Sequence, residues 1–179
     1  MKEKILRATA KILSQKGQKG VSTRAVCSAV GITAPTLYHY FVDKEDLLEA
    51  VTKSAFEKTR DRKMTQLEGD ILGSLLQIWD NYVDFALSEP EYYSIVIAAL
   101  SQGQVHPTGQ VCFQQTIEHF NNAEKNGLLN RPAQEAALLY QAAAMGVAAL
   151  SLLSESKDHY RKLSKDMKKM LQKGLFKDP

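Results

Sequence analysis

The sequence has few of the residues that support covalent or metal chemistry. Its 179 residues include two cysteines, Cys27 and Cys112, and four histidines, and neither type is grouped at metal-ligand spacing. We therefore expect two reduced thiols, no metal site and no cofactor. The alternative that the cysteines form a redox-sensing pair stays open. The sequence has no Gly-rich phosphate loop, nucleophile motif or clustered acid pair, which argues against an enzyme.

Long apolar runs are also scarce. No uninterrupted run of about 18 apolar residues is present, so we expect no membrane-spanning segment. The first residues, MKEKILRATAKIL, alternate charged and apolar groups at helical spacing. They lack the apolar core and small-residue cleavage site of a secretion signal. These features predict a cytoplasmic protein.

Basic residues are scarce in the middle of the chain. Residues 64–156 hold 2 Lys and Arg against 10 Asp and Glu, whereas residues 1–63 hold 13 basic and 7 acidic residues. A basic first third suits a module that contacts phosphates, and an acidic middle is expected to face away from them. Residues 157–179 hold 8 basic and 3 acidic residues, and we interpret them as a solvated helix face.

Helical periodicity and its punctuation predict an all-α fold class with no strands. Ser22 and Thr23, Thr33, Asp43 and Asp70 are placed as helix N-caps, and Gly31 ends a helix. The back half of the fourth helix, EKTRDRK, is polar and is expected to be a solvent-exposed connector. The nine predicted helices cover residues 2–16, 22–29, 34–40, 44–66, 71–87, 91–102, 109–125, 133–154 and 157–172.

Residues 21–47, VSTRAVCSAVGITAPTLYHYFVDKEDL, carry the main functional signal. They form two short predicted helices joined by a tight turn, followed by the start of a third. The middle helix has only about two turns and needs packing to be stable. It nevertheless carries Thr36, Tyr38, His39 and Tyr40. A short helix with this polar and aromatic surface is suited to a DNA major groove.

The segments APTLYHYF (34–41) and DKEDLL (43–48) resemble the N-terminal DNA-binding domain of the TetR/AcrR family of bacterial transcription regulators. The similarity runs from about Ile5 to about Ala55. It implies a three-helix DNA-binding domain with a helix-turn-helix at residues 1–48. A helical ligand-binding and dimerisation domain follows at residues 49–179, and helix four, at about 44–66, links the two.

The predicted DNA contacts cluster at the starts of three helices. Arg24 follows Thr23 in a pair that family members use to read guanine, to whose O6 and N7 arginine can bond bidentately. Lys44 and the first amides of helix four are expected to grip a phosphate. Ala34 and Pro35 offer apolar contact only. The full predicted set is Ser22, Thr23, Arg24, Thr33, Ala34, Pro35, Thr36, Tyr38, His39, Tyr40 and Lys44.

The later helices are rich in aromatic residues, which at helical spacing are first of all core residues. The resemblance implies that some line a ligand cavity. Because this region has few basic residues, we expect an apolar or cationic effector. Residues with a polar handle are the preferred candidates for ligand contact. They are Trp79, Tyr82, His119, Tyr140 and Gln141.

Helix eight has small residues, Ala136, Ala143, Gly146 and Ala149, that allow close helix approach. The resemblance implies a homodimer through helices eight and nine, and the alternative is an intramolecular core helix. The sequence thus predicts a dimeric, ligand-responsive transcription repressor that binds a near-palindromic double-stranded DNA operator in the cytoplasm, at the nucleoid. The alternative is a nucleoid-associated DNA-binding protein whose C-terminal domain binds a protein partner instead of a small ligand.

Overall fold

The computed structural model describes residues 1–64, 70–104, 106–153 and 156–177. Within these ranges the chain forms nine α-helices, a short 3₁₀ turn at Ser151–Leu153 and one isolated bridge between Leu129 and Phe176. The predicted all-α fold class is confirmed. The helices are α1 (Lys2–Gly20), α2 (Thr23–Val30), α3 (Ala34–Tyr40), α4 (Lys44–Lys63), α5 (Ile71–Ser88), α6 (Pro90–Ser101), α7 (Pro107–Lys125), α8 (Ala133–Leu150) and α9 (Lys157–Leu175).

The predicted and observed ends differ by three or four residues in α1 and α9, and by one or two residues in α2, α5, α6 and α7. Helix α1 extends to Gly20 but is interrupted at Gly17, whose φ of 64° is strained for residues other than glycine. Helix α9 runs three residues beyond its predicted end. The predicted end of helix four near residue 66, the break at Gly69 and the predicted end of helix eight at Ser154 lie outside the described residues.

Local capping sets the boundaries of α2 and α4. The Ser22 hydroxyl accepts a hydrogen bond from the Ala25 amide, and Gly31 ends α2 in the left-handed conformation at φ 74°. At α4 the Asp43 carboxylate accepts the Asp46 amide, and the Asp46 carboxylate accepts the Val42 amide, both at 2.8 Å. This reciprocal arrangement satisfies two amides at the start of α4.

The chain divides into two compact units. The first unit comprises residues 1–58 and 89–106, and the second comprises residues 59–88 and 107–179. This division places α6 with the helix-turn-helix, and it therefore differs from the domain boundary predicted after residue 48, which stays a prediction about function. The core of the first unit includes Ile5, Val26, Leu37, Phe41, Leu47, Val51 and Tyr93.

The second unit is built around aromatic side chains from α5, α7 and α8. The rings of Trp79 and Tyr140 meet edge to face with centroids 5.5 Å apart, and Phe120 lies 5.3 Å from Tyr140. The Trp79 Nε1–H donates to the Ser164 hydroxyl of α9 at 2.8 Å. All three aromatic rings are buried, so they form the centre of this unit's core.

Helix α8 bears on two expectations. Residues Ala133–Leu153 are long and apolar enough to cross a membrane, with a mean hydropathy of 1.8, although a core helix passes the same test. The small residues also do not share one face, because Ala136 is fully buried within the unit whereas Gly146 is exposed. Only 39% of the apolar segment is buried. Its exposed apolar residues include Leu138, Leu139, Leu150 and Leu153.

We predict that Asp43→Ala lowers the free energy of unfolding by about 1 kcal/mol, because it leaves the Asp46 amide without its capping acceptor. Urea denaturation followed by circular dichroism measures the change. Glu49→Ala, an exposed substitution one turn further along α4, is the control and is expected to change stability by less than about 0.5 kcal/mol. Equal losses in the two variants would show that the cap contributes nothing specific.

Candidate functional site

Helix α3 presents most of its surface to solvent. Of its seven residues only Leu37 is buried, and Phe41, which follows the helix, is buried as well. These two side chains anchor the helix to the first unit, as the sequence predicted. Pro35, Tyr38 and His39 are exposed, and Ala34, Thr36 and Tyr40 are partly exposed. The structure therefore places every predicted contact residue of α3 where a ligand can reach it.

The starts of α2 and α4 meet the middle of α3 around one small crevice. The Tyr38 hydroxyl lies 3.1 Å from the Thr23 hydroxyl, which links the reading helix α3 to the N-terminus of α2. The crevice has a volume of about 10 Å³ and brings together four of the predicted contacts. Its lining residues are Val21, Ser22, Thr23, Leu37, Tyr38, Asp43, Lys44 and Leu47.

The two predicted cationic contacts differ in how they are held. The Lys44 Nζ donates to the backbone carbonyl of Gln18 at 3.1 Å, so this exposed side chain is already oriented. Arg24 is also exposed, and within the described residues it forms no ion pair. A guanidinium with all its donors open is suited to bidentate recognition of guanine or phosphate.

Thr33 differs from its predicted role. It occupies the N-cap position of α3, but its hydroxyl makes no capping bond to the helix and instead pairs with the Thr36 hydroxyl at 3.0 Å. The α3 amides near this end are therefore open to an acceptor from outside the chain. Further along α3, the rings of His39 and Tyr40 meet edge to face with centroids 5.0 Å apart.

The predicted ligand residues fall into two groups in the second unit. Trp79 and Tyr140 are packed together, and the Tyr140 hydroxyl donates to the Leu75 carbonyl. The cavity beside them has a volume of only about 10 Å³, which holds about one water molecule. These two residues thus form core in the ligand-free structure. His119, on α7, is half-buried and is joined to neither group by the described contacts.

Tyr82 and Gln141 form the second group, around a residue that the sequence analysis missed. The Lys63 Nζ donates to the Gln141 side-chain oxygen at 3.0 Å and lies 5.3 Å from the centre of the Tyr82 ring. Lys63 is only 3% exposed, and Thr59 is buried one turn earlier, so the predicted solvent-exposed connector is wrong at both positions. The missed signal was the i+4 series from Val51 through Ala55 and Thr59 to Lys63.

Burial dominates the ionisation of this cluster. It lowers the pKa of the Lys63 ammonium from 10.5, and Cys112 opposes that change. Burial also raises the pKa of the Cys112 thiol above 9.0, while Lys63 and Arg60 act to lower it. Elsewhere on α7, burial lowers the pKa of His119, with Glu118 acting in the opposite direction. A buried lysine with a lowered pKa, among polar groups from several helices, is typical of functional sites.

The capped α2, the left-handed turn at Gly31 and the exposed α3 define a helix-turn-helix DNA-binding module. Residues 5–51 match the sequence model described as "Bacterial regulatory proteins, tetR family". The DNA-binding module of this chain therefore belongs to the tetR family, and the resemblance identified in residues 34–48 is confirmed.

Similar proteins support the same family. The HTH-type transcriptional regulator UidR of Escherichia coli (strain K12) is 35% identical over 66 residues, which cover 37% of this chain and 34% of UidR. The match thus spans about a third of that relative. The family and this relative are transcription regulators and not enzymes, as the sequence predicted.

Solved structures extend the likeness in fold to the whole chain. A TetR family transcription regulator from Marinobacter aquaeolei VT8 superposes with a TM-score of 0.76 at 18% identity, covering 99% of this chain and 96% of that one. A protein from Saccharomonospora viridis, solved in complex with choline, gives 0.75 at 16% identity, with 99% and 98% covered. At these identities the likeness concerns the fold alone.

We predict that the free energy of unfolding increases as the pH rises toward 9, and that this increase depends on Lys63. Between the lowered pKa of folded Lys63 and 10.5, the unfolded chain binds the proton more strongly, so the free energy of unfolding rises with pH. The slope is at most about 1.4 kcal/mol per pH unit. Lys63→Met is expected to remove this contribution, and urea denaturation at several pH values below 9 measures it.

The matched control is Lys168→Met, which removes a lysine that pairs with Asp80 at 2.6 Å. It is expected to keep the wild-type slope. The measurements stop below pH 9 because the raised pKa of Cys112 makes the opposite contribution above that value. If the free energy of unfolding changes with pH at the same slope in the wild type and in Lys63→Met, then Lys63 is not buried in the core as described.

Proposed function

We propose that this protein is a sequence-specific transcription regulator, a dimeric repressor that a small molecule releases from a near-palindromic operator. The observation that carries the proposal is the surface of α3, which is anchored by Leu37 and exposes its polar side chains beside the cations Arg24 and Lys44. Membership of the module in the tetR family supports DNA as the partner. The protein is expected to act in the cytoplasm, at the nucleoid.

In this proposal the module reads DNA through two kinds of contact. Arg24 reads a guanine edge, whereas Lys44 and the first amides of α4 hold a phosphate. Ser22, Thr23, Tyr38 and the open start of α3 contribute further polar contacts to the backbone. Thr33, Ala34 and Pro35 form the tip of α3, and Thr36, His39 and Tyr40 complete the surface.

The dimer is supported by the exposed apolar stripe of α8. Leu138, Ala142, Gly146 and Leu150 follow one another at intervals of four residues, and all four are exposed. Leu138 is 54% and Leu150 is 46% exposed, and a side chain added at Gly146 would meet no atom within 4 Å. On α9, Met170 is 68% exposed. A stripe of this kind on a soluble protein needs a partner surface, and a second copy of α8 and α9 supplies one.

A dimer also fits the size of the reading surface. One module of this kind buries little surface on DNA, and specificity is gained when two copies bind two half-sites. The effector is proposed to bind in the second unit, where α4 ends and where Tyr82 and Gln141 lie. The choline complex of the Saccharomonospora viridis protein supports small-molecule binding by this fold. A ligand that favours one spacing of the two modules would change operator affinity.

We predict that Arg24→Ala and Lys44→Ala weaken DNA binding in different ways. Arg24→Ala is expected to relax preference at one base position per half-site, at a cost of about 1–3 kcal/mol. Lys44→Ala is expected to weaken all sequences alike and to reduce the salt slope by about 1 per module. Fluorescence anisotropy against a selected operator and its single-base variants, at several salt concentrations, measures both. If the two variants share one salt slope and keep the base preference, these roles are wrong.

We predict that Leu138→Glu combined with Leu150→Glu converts the dimer into a monomer, because it places charges on the apolar stripe of α8. Sedimentation velocity gives the mass, and operator titration is expected to show loss of specific binding. Val111→Glu is the control, since it changes an apolar residue of α7 with similar exposure. A double variant that stays dimeric would place the dimer contact elsewhere.

A further inference from the structure

Lys63 is an interior cation without an anionic partner in the described structure. Within the described residues, no carboxylate lies within 4.0 Å of its Nζ, and its one hydrogen bond is to the Gln141 oxygen. By contrast, Arg60, one turn earlier on α4, bonds to the Asp61 carboxylate at 2.6 and 2.8 Å. Among the described residues, Lys63 is therefore a buried amine whose charged form has no carboxylate beside it.

The described residues around Lys63 satisfy only part of the hydrogen-bonding capacity of its ammonium group. An ammonium has three donors, of which Gln141 accepts one, and the Tyr82 ring offers only its π face. Burying a charge under these conditions is costly. A negative charge brought to Nζ would recover that cost, so the site has a built-in preference for an anion.

The groups around Lys63 come from four helices of one unit. Lys63 ends α4, Tyr82 is on α5, Cys112 is on α7 and Gln141 is on α8. The Cys112 side chain is close enough to Lys63 to alter its pKa, although the thiol itself is neutral at ordinary pH because burial raises its own pKa. Small-molecule sites between helices typically have a small number of polar groups that converge within an apolar lining.

We propose that Lys63 binds the carboxylate of an amphipathic monocarboxylic acid, with the head group held between α4, α5, α7 and α8. This inference rests on the proposed function, because the acid would be the effector. It replaces the apolar or cationic effector expected from the sequence. One cation with one neutral amide matches a single negative charge and not a phosphate dianion.

Gln141 has a defined part in this site. In the ligand-free structure its oxygen occupies the place on Nζ that a carboxylate oxygen takes when the acid binds. After a rotation of the amide, its NH₂ group donates to the other carboxylate oxygen. The apolar body of the acid then lies against the ring of Tyr82 and neighbouring apolar side chains of this unit.

The test uses hexanoate and benzoate as probes, with hexanol and benzyl alcohol as neutral analogues and choline as the cationic one. Thermal shift and the fluorescence of Trp79, the single tryptophan, report binding to the full-length protein. The two acids are expected to raise the melting temperature and to alter the fluorescence, while the alcohols and choline have at least tenfold weaker effects. Lys63→Met is expected to lose the response to acids at least tenfold, and Lys168→Met is expected to keep it.

Two outcomes overturn the site: neither acid binds the wild type, or Lys63→Met binds them as well as the wild type. Circular dichroism checks that Lys63→Met is folded, and Gln141→Leu is a second variant, expected to weaken the acids but not the alcohols. Operator release is measured separately. If the acids bind through Lys63 without releasing DNA, the carboxylate site is supported. The proposal that its ligand controls operator binding is then overturned. Choline or an alcohol that releases DNA while the acids do not bind supports effector control and overturns the site.

Discussion

Every fourth residue of α4 from Val51 to Lys63 is buried, and this one helical face supplies side chains to the cores of both units. Val51 and Ala55 pack in the first unit, where Leu47 also helps to cover the base of the reading helix. Thr59 and Lys63 are buried in the second unit. The burial of Lys63 thus follows from the same helical repeat that buries Val51, Ala55 and Thr59.

Much of the fold could be predicted because helix ends are set by local chemistry. The caps at Ser22, Asp43 and Asp70 and the left-handed Gly31 act within about four residues of the backbone groups that they satisfy. Such short-range requirements are visible in a sequence. The exposed contact residues of α3 also followed, since Leu37 and Phe41 fix which side of the helix is buried.

The features that were missed depend on which side-chain partner a polar group finds. Lys63 ends a polar stretch, which obscured the i+4 series of buried residues, and its partner Gln141 lies 78 residues later. The Thr33 hydroxyl was assigned to the backbone, yet it found the Thr36 hydroxyl instead. The partition by charge ended the basic first segment at Lys63, and so its net charge included a buried lysine of the second unit.

The interruption of α1 at Gly17 affects how Lys44 meets its target. Because the chain turns there, the Gln18 carbonyl stands beside the start of α4 and accepts one of the three ammonium protons of Lys44. Among the described residues no acceptor is seen for the other two protons, and the long side chain has already given up part of its rotamer freedom. A lysine loses up to about 1.5–2 kcal/mol of conformational entropy when it is fixed. In the proposed contact with a phosphate, part of that loss has already been incurred on folding, so less of it opposes association, and Gly17 would contribute to affinity without touching the partner.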